Sequence, residues 1–341
     1  MLRILIIRTT ALGDIVHTFP ALMALRNAFP NCHISWVVEK RFASILKNIK
    51  EIDAIYPIEL KNGLSKILDA IKILQQQPYD ISLDFQGLLK SALIGVASKS
   101  IKRFGFCPLN SRECANLFYN KQVDKFCSTD NITQLNNALV KELYFNLTNK
   151  TLNIDIGFPN FTSVDDKLNI DNLLNTHVIN KFVLINPGGA WQSKLWSPKY
   201  YARLIDGIKT KFNLNSVLTC FGSERELGFK INKYLATPVP ILDALTYTQQ
   251  AELSKRASVA IGPDTGPLHI AHAVNCPTIF LFGASDAWRN TPSGNQAYPI
   301  QAPLDCKPCW KKICPKYSET KCMQSIKPEL VLNKLNSILG I

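Results

Sequence analysis

Short apolar runs along the first half of the chain predict strands over Arg3–Arg8, His33–Val38, Ala54–Ile58, Ile81–Asp84 and Lys102–Phe106. Between them, apolar residues recur at helical spacing over Ile15–Ala28, Phe42–Lys47, Leu64–Gln75 and Leu88–Ala97, and once more over Leu135–Phe145. Residues 146–180 break the rhythm. They carry Asn-Leu-Thr-Asn, Pro159 and Asp-Asp-Lys, and read as a polar linker. The alternation then restarts with strands at Phe182–Asn186, Ser216–Phe221, Val259–Ile261 and Thr278–Phe282. Helices are predicted over Pro198–Lys211, Glu224–Leu235, Thr246–Arg256 and Thr265–Val274, with a last one over Lys327–Leu339.

Strand–helix alternation at this period implies parallel sheets covered on both faces. Two such units in tandem, without a sequence repeat, predict an α/β fold of two Rossmann-like domains facing across a cleft, the glycosyltransferase-B (GT-B) architecture. The expected boundaries are 1–165 for the first domain and 166–322 for the second. Residues 323–341 are expected to form a helix packing back toward the first domain. Ligands of open α/β sheets sit beyond the carboxyl ends of the strands, so the loops there are the candidate sites.

Composition narrows the class. At 341 residues, 46% hydrophobic and 19% charged, the chain has the make-up of a two-domain globular protein. No apolar run reaches the roughly 18–20 residues of a membrane span, and Ile4–Ile7 is too short for a signal peptide. A cytoplasmic protein is the expectation. The formal net charge of +13 predicts a polyanionic partner. The basic residues are dispersed and form no recognisable nucleic-acid motif, so an anionic substrate or membrane surface fits better than DNA or RNA.

Four strand ends carry candidate chemistry. In "TTALGDIVH", Asp14 opens the first helix and fits either a helix cap or a general base at a strand's carboxyl end. In "GPDTGPLH", the amides of Thr265 and Gly266 start a helix and can cradle a pyrophosphate, with Asp264 beside them to accept from sugar hydroxyls. In "NPGGAWQSKLWSP", small residues such as Gly189 allow backbone approach to a ligand, and Lys194 supplies positive charge. Glu224, after Gly222-Ser223, offers a carboxylate for ribose hydroxyls. No Walker loop or G-x-G-x-x-G occurs, which disfavours P-loop and dinucleotide enzymes. A single Asp-Thr-Gly excludes an aspartic protease, which pairs two.

Of ten cysteines, Cys32, Cys107, Cys114, Cys127, Cys220 and Cys276 are scattered and read as small apolar residues. Cys306, Cys309, Cys314 and Cys322 cluster as C-x2-C-x4-C-x7-C, open to three readings: structural thiols, a zinc site or disulfides.

Taken together, "LGDIVHTFPAL", "WVVEKRFA", "DFQGLLKSAL", "SRECANLFYN", "KLWSP" and "GPDTGPLHIAHA" resemble successive motifs of the ADP-heptose:lipopolysaccharide heptosyltransferases. The resemblance covers nearly the whole chain. "WVVEKRFA", "DFQGLLKSAL" and "SRECANLFYN" look most like type I members, which attach the first heptose to Kdo of Kdo-lipid A. The cysteine tail is similar to that of type II relatives. The resemblance implies a GT-B fold, ADP-L-glycero-D-manno-heptose as donor, and inversion of the anomeric centre with no metal or other cofactor. By it, Asp14 is the general base. Gly189, Lys194, Glu224, Asp264, Thr265, Gly266 and His269 fall on the donor side, and Asp84, Gln86, Lys90 and Arg112 on the acceptor side. It further implies a cytoplasmic enzyme peripheral to the anionic inner membrane. The alternatives are a type II enzyme, a relative using another nucleotide sugar, and a non-catalytic envelope-assembly protein.

Overall fold

The computed structural model describes residues 1–59, 64–123, 131–155, 157–317 and 320–340. Its contacts divide the chain into two compact units, Met1–Phe161 and Thr162–Ile341. Each unit holds one six-stranded sheet whose neighbouring strands all pair in parallel.

In the first unit the strands are β1 (Arg3–Ile7), β2 (His33–Glu39), β3 (Ala54–Ile58), β4 (Ile81–Asp84), β5 (Lys102–Phe106) and β6 (Lys121–Val123), ordered β3-β2-β1-β4-β5-β6. The second unit has β7 (Phe182–Ile185), β8 (Asn215–Thr219), β9 (Ile241–Leu242), β10 (Val259–Pro263), β11 (Thr278–Phe282) and β12 (Ala297–Gln301). Its order is β12-β11-β10-β7-β8-β9. Counted from each unit's own first strand, both are the Rossmann order 3-2-1-4-5-6. The chain reverses direction across the sheet between β1 and β4, and again between β7 and β10. Loops leaving those strands splay apart at the carboxyl ends, where ligands of this fold bind.

The central strands are buried on both faces, which is why they read as unbroken apolar runs: Ile4, Leu5, Ile6 and Ile7 in β1 are fully inaccessible, as are Phe182, Val183 and Ile185 in β7. The strands missing from the sequence reading are β6, β9 and β12. All three lie at sheet edges or are very short, and β12 carries Pro299, which a central strand would not tolerate.

Three helical expectations change. Ile15–Ala28 is two helices, Leu12–His17 and Phe19–Ala28, broken at Thr18. Pro20 lacks the N–H that would continue the first helix, and the buried Asn136 amide donates to the His17 carbonyl at the break (3.0 Å). Phe42–Lys47 is a 3-10 turn over Lys40–Leu46. The linker at 146–180 contains a helix, Val164–Thr176. Ser163 and Asp166 cap it reciprocally (Ser163 Oγ from Asp166 N, 3.1 Å; Asp166 Oδ2 from Ser163 N, 2.9 Å). Only one narrow side is buried, through Asp166, Ile170 and Leu174, so its apolar signal is weak.

The last helix, Pro328–Leu339, is set apart by the sequence reading as a segment returning to the first domain. In the structure its apolar face is committed to the second unit's core, where Val331, Leu332 and Leu335 are buried with Leu204, Ile205 and Ile208 of the helix Pro198–Phe212. Among the described residues, no helix is long and apolar enough to cross a membrane. Because Leu332 is one of the residues closing this core, Leu332→Ala should destabilise the second unit by about 2–5 kcal/mol. Urea unfolding followed by circular dichroism measures this. An unchanged midpoint would mean that the helix is not part of the unit's cooperative core.

Candidate active site

In the first unit, Asp14 sits in the first turn of the helix Leu12–His17, directly beyond β1. The N-cap position belongs to Ala11, so Asp14 is not the N-cap itself; its Oδ2 reaches back to the Ala11 amide at 3.3 Å. The same oxygen pairs with Arg8 Nη2 at 2.8 Å. The Asp14 side chain remains 42% exposed, whereas that of Arg8 is 6% exposed. Sequence reasoning overlooked Arg8, although its place at the end of β1 was a usable signal.

The four expected acceptor-side residues divide into two kinds. Asp84, at the end of β4, is buried and accepts from the amides of Gln86 (2.8 Å) and Gly87 (3.1 Å) and from the Tyr119 hydroxyl (2.7 Å). Burial pushes its carboxyl above the ordinary carboxylate value against these donors. Gln86 Oε1 accepts from Thr9 N (2.8 Å), Thr9 Oγ1 (2.5 Å) and Thr10 N (3.3 Å), tying the β4 loop to the β1 loop. Asp84 and Gln86 thus hold together the loops beyond β1 and β4 that carry candidate residues. Lys90 and Arg112 are exposed; the Arg112 amide donates to Gly87 O at 2.8 Å, which anchors its backbone and leaves the side chain outside.

The second unit is organised around Asp264, just past β10. Its side chain is 4% exposed. Oδ1 meets His269 Nε2 at 3.0 Å, while Oδ2 accepts from Lys194 Nζ (2.8 Å), Ser285 Oγ (2.8 Å) and Asn290 Nδ2 (3.0 Å). Burial alone pushes this carboxyl up, but the Lys194 ammonium and His269 outweigh it and hold the group well below the usual carboxylate range. Lys194 also donates to the Asp264 carbonyl at 2.8 Å and lies 4.9 Å from the centre of the Trp191 ring. Asp264 thus ties Lys194, Ser285 and Asn290 together through Oδ2 and meets His269 through Oδ1. Lys194 keeps one of its three N–H donors beyond the two given to Asp264.

Thr265 and Gly266 are half-buried at the start of the helix Gly266–Ala273. Gly262 lets β10 approach β7 closely, since a Cβ there would lie 2.2 Å from Asn186 O. Glu224 accepts from Phe221 N at 3.1 Å and from the Gly189 amide, and burial raises its carboxyl. A Cβ on Gly188 would collide with the Glu224 carboxyl at 2.0 Å, so Gly188 makes room for it. Gly189, Lys194, Glu224, Asp264, Thr265, Gly266 and His269 are all on loops or helix starts at the carboxyl ends of β7, β8 and β10. A separate cavity of about 480 Å³ lies beside β9, lined by residues including Leu173, His177, Leu242 and Gln249; none of these seven residues lines it.

The profile of glycosyltransferase family 9 (heptosyltransferase) matches residues 67–318. This chain belongs to that family, the heptosyltransferases. It is 30% identical over 308 residues to lipopolysaccharide heptosyltransferase 1 of Campylobacter coli, covering 85% of this chain and 86% of the relative. Among solved structures it resembles the glycosyl transferase family 9 protein of Veillonella parvula (TM-score 0.84, 18% identity, 99% of this chain and 97% of the other). It also resembles the E. coli ADP-heptose lps heptosyltransferase II (TM-score 0.79, 19% identity, 99% and 98%). The α/β, GT-B fold class expected from the sequence holds.

In this heptosyltransferase the cysteine-rich tail has a structural place. Ser193, next to Lys194, donates from its amide to Lys312 O (3.0 Å) and from its hydroxyl to Lys311 O (2.6 Å). Cys309 N donates to Ala284 O at 3.0 Å, and Trp196 Nε1 donates to Ile326 O at 2.9 Å. The segment carrying Cys306, Cys309, Cys314 and Cys322 therefore braces the Lys194 loop. All four are free thiols; burial raises the Cys322 thiol, and its three cluster mates add to the rise. Among the described residues, no group of three or more His, Cys, Asp or Glu is arranged to hold a metal ion. Cys127 lies outside the described residues.

The Asp264 environment makes a pH-dependent prediction. A carboxylate with a lowered folded-state pKa stabilises the fold above its ordinary value of about 3.9, and that contribution is lost as pH falls through the lower folded value. Lys194→Met removes the main opposing charge and leaves burial to raise the group instead. The variant should lose about 3–5 kcal/mol at pH 7, the usual cost of orphaning a buried charge. The deficit should shrink at pH 5, because protonating Asp264 relieves it. Denaturant titrations at the two pH values measure this, and a deficit that grows on acidification would contradict the assignment.

Proposed function

We propose that this heptosyltransferase moves heptose from ADP-L-glycero-D-manno-heptose to Kdo of Kdo-lipid A, with inversion and without a metal ion or other cofactor. The observation that carries the reading is Asp14: a half-exposed carboxylate at the carboxyl end of β1, fixed by a buried arginine. In this role it takes the proton of the acceptor hydroxyl as that oxygen attacks the anomeric carbon opposite the departing nucleotide.

The second unit supplies the donor site. The Gly266–Ala273 helix start and the remaining Lys194 N–H stabilise the charge that leaves with ADP, which makes a bound cation unnecessary. Gly189 allows close backbone approach, Glu224 accepts from the ribose, and Asp264 with His269 sets the Lys194 head in place. On the first unit Lys90 and Arg112 meet the carboxylates and phosphates of the lipid acceptor, while Asp84 and Gln86 hold their loops. The name of the E. coli neighbour supports ADP-heptose as donor, and that of the Campylobacter coli relative supports type I chemistry. A cytoplasmic enzyme peripheral to the inner membrane suits both substrates, and its charge of +13 suits the anionic bilayer surface. The structural likeness to a heptosyltransferase II favours one second reading, in which the acceptor already carries a heptose.

Purified protein should form product from Kdo-lipid A only with ADP-heptose among a panel of nucleotide sugars, in the presence of EDTA, as followed by mass spectrometry. Product from the heptosylated acceptor alone would select the type II reading. Asp14→Asn should lower kcat by about 10²–10⁴-fold with ADP affinity unchanged, and turnover at the wild-type rate would remove Asp14 as base.

Arg112→Ala tests the division between the units. Loss of a charge-assisted contact worth roughly 1.5–3 kcal/mol should raise the acceptor KM about 10- to 150-fold. Calorimetry should find ADP binding unaltered. Weakened ADP with an unaltered acceptor KM would reverse the assignment.

A further inference from the structure

Arg8 is the first residue beyond β1, and its burial calls for a reason. Its amide donates to Val37 O at 3.3 Å and its carbonyl accepts from Trp36 Nε1 at 3.1 Å, so the backbone is pinned within the sheet edge of the loop. The guanidinium donates through Nη1 to Phe85 O and through Nη2 to Asp14 Oδ2, while Nε has no partner among the described residues. Burying a cation with one donor atom unsatisfied is costly. The helix start does not demand it, since Asp14 already reaches the Ala11 amide unaided. Among the described residues, both donors to the Asp14 carboxylate, the guanidinium and that amide, engage Oδ2. Oδ1 meets no donor among the described residues, on a side chain that is 42% exposed.

We propose that Arg8 is a positioning residue that clamps Asp14 through Oδ2 and so presents Oδ1 to the acceptor hydroxyl. The inference rests on the reading of Asp14 as the base. In the step it serves, the hydroxyl proton passes to Asp14 Oδ1 and the oxygen's electron pair forms the new bond to the anomeric carbon. The bond from that carbon to the diphosphate oxygen breaks, and its electron pair leaves on ADP. Arg8 exchanges no proton and touches neither substrate; it acts through the fixed angle of the carboxylate. The Phe85 carbonyl, at the end of β4, fixes the guanidinium in turn. The base is thereby aligned by the two strands that flank the switch point.

The test is a double-mutant cycle of Arg8→Met and Arg8→Lys with Asp14→Asn, measured as kcat and KM for each substrate, with thermal melts alongside. Misplacing a reacting group by about an ångström costs on the order of 10²-fold. Arg8→Met should lower kcat by about that factor and leave the ADP-heptose KM within about twofold. Arg8→Lys, which keeps the charge but replaces the two-nitrogen fork on Phe85 O and Asp14 with a single nitrogen on a shorter stem, should fall between. Added guanidinium ion should restore part of the Arg8→Met rate. In the Asp14→Asn background, Arg8→Met should change kcat by less than about threefold, the mark of two residues acting as one unit. An equal loss in both backgrounds overturns the proposal, as does wild-type kcat in Arg8→Met when Asp14→Asn is impaired. If Asp14→Asn itself turns over normally, the base reading fails and the inference falls with it, a result distinct from the other two. Should Arg8→Met not fold, Arg8→Lys run through the same cycle decides between coupled and independent losses.

Discussion

A buried carboxylate that must stay ionised is the constraint around which the second unit is arranged. Asp264 is held well below the normal carboxylate range only because Lys194 and His269 reach it, with Ser285 and Asn290 completing its shell. These partners come from four separate segments: the loop after β7, the helix after β10, and two positions beyond β11. Bringing them together fixes the loop that carries Lys194 and the helix start that carries Thr265 and Gly266. The same requirement reaches the cysteine-rich tail, whose Lys311 and Lys312 carbonyls hold Ser193 one residue away.

The first unit has a carboxylate at the equivalent point, and its electrostatics are opposite. Asp84 ends β4 as Asp264 follows β10, each the fourth strand of its unit and each beside the first. Asp84 has two amides and a tyrosine hydroxyl around it, all neutral, so burial wins and its carboxyl is raised. Asp264 has a lysine, so charge wins. One Rossmann order therefore supports two kinds of site. In the first unit the arginine at the end of β1 pairs instead with a half-exposed carboxylate, Asp14. The charged hub keeps a lysine poised at a helix start, where an anion is favoured.

Much of this architecture was legible in one dimension. Strands buried on both faces must be continuous apolar runs, so β1, β4, β7, β10 and β11 announced themselves. Glycine, proline and acidic residues directly after them marked the loops where the candidate residues lie. Edge strands lack that pressure. β6 has three residues and β12 includes Pro299, so neither has a periodic signature. The helix Val164–Thr176 has so little buried apolar surface that its capping pair, Ser163 and Asp166, was a better sign of it than its hydrophobicity.

By itself the sequence determined the fold class, the two-unit plan, and the loops that carry the candidate residues, because solvent exclusion and turn geometry act on neighbouring residues. It did not determine what those residues touch. Lys194 and Asp264 are 70 positions apart, Arg8 and Phe85 are 77 apart, and Asn136 meets His17 across 119. Nor could composition tell that burial would raise the Asp84 carboxyl while charge would hold that of Asp264 low, or that Asp14 would pair with a buried arginine and stay half-exposed. Those outcomes depend on desolvation and on the sum of nearby charges, and both exist only once parallel strands have brought distant loops to the same end of a sheet.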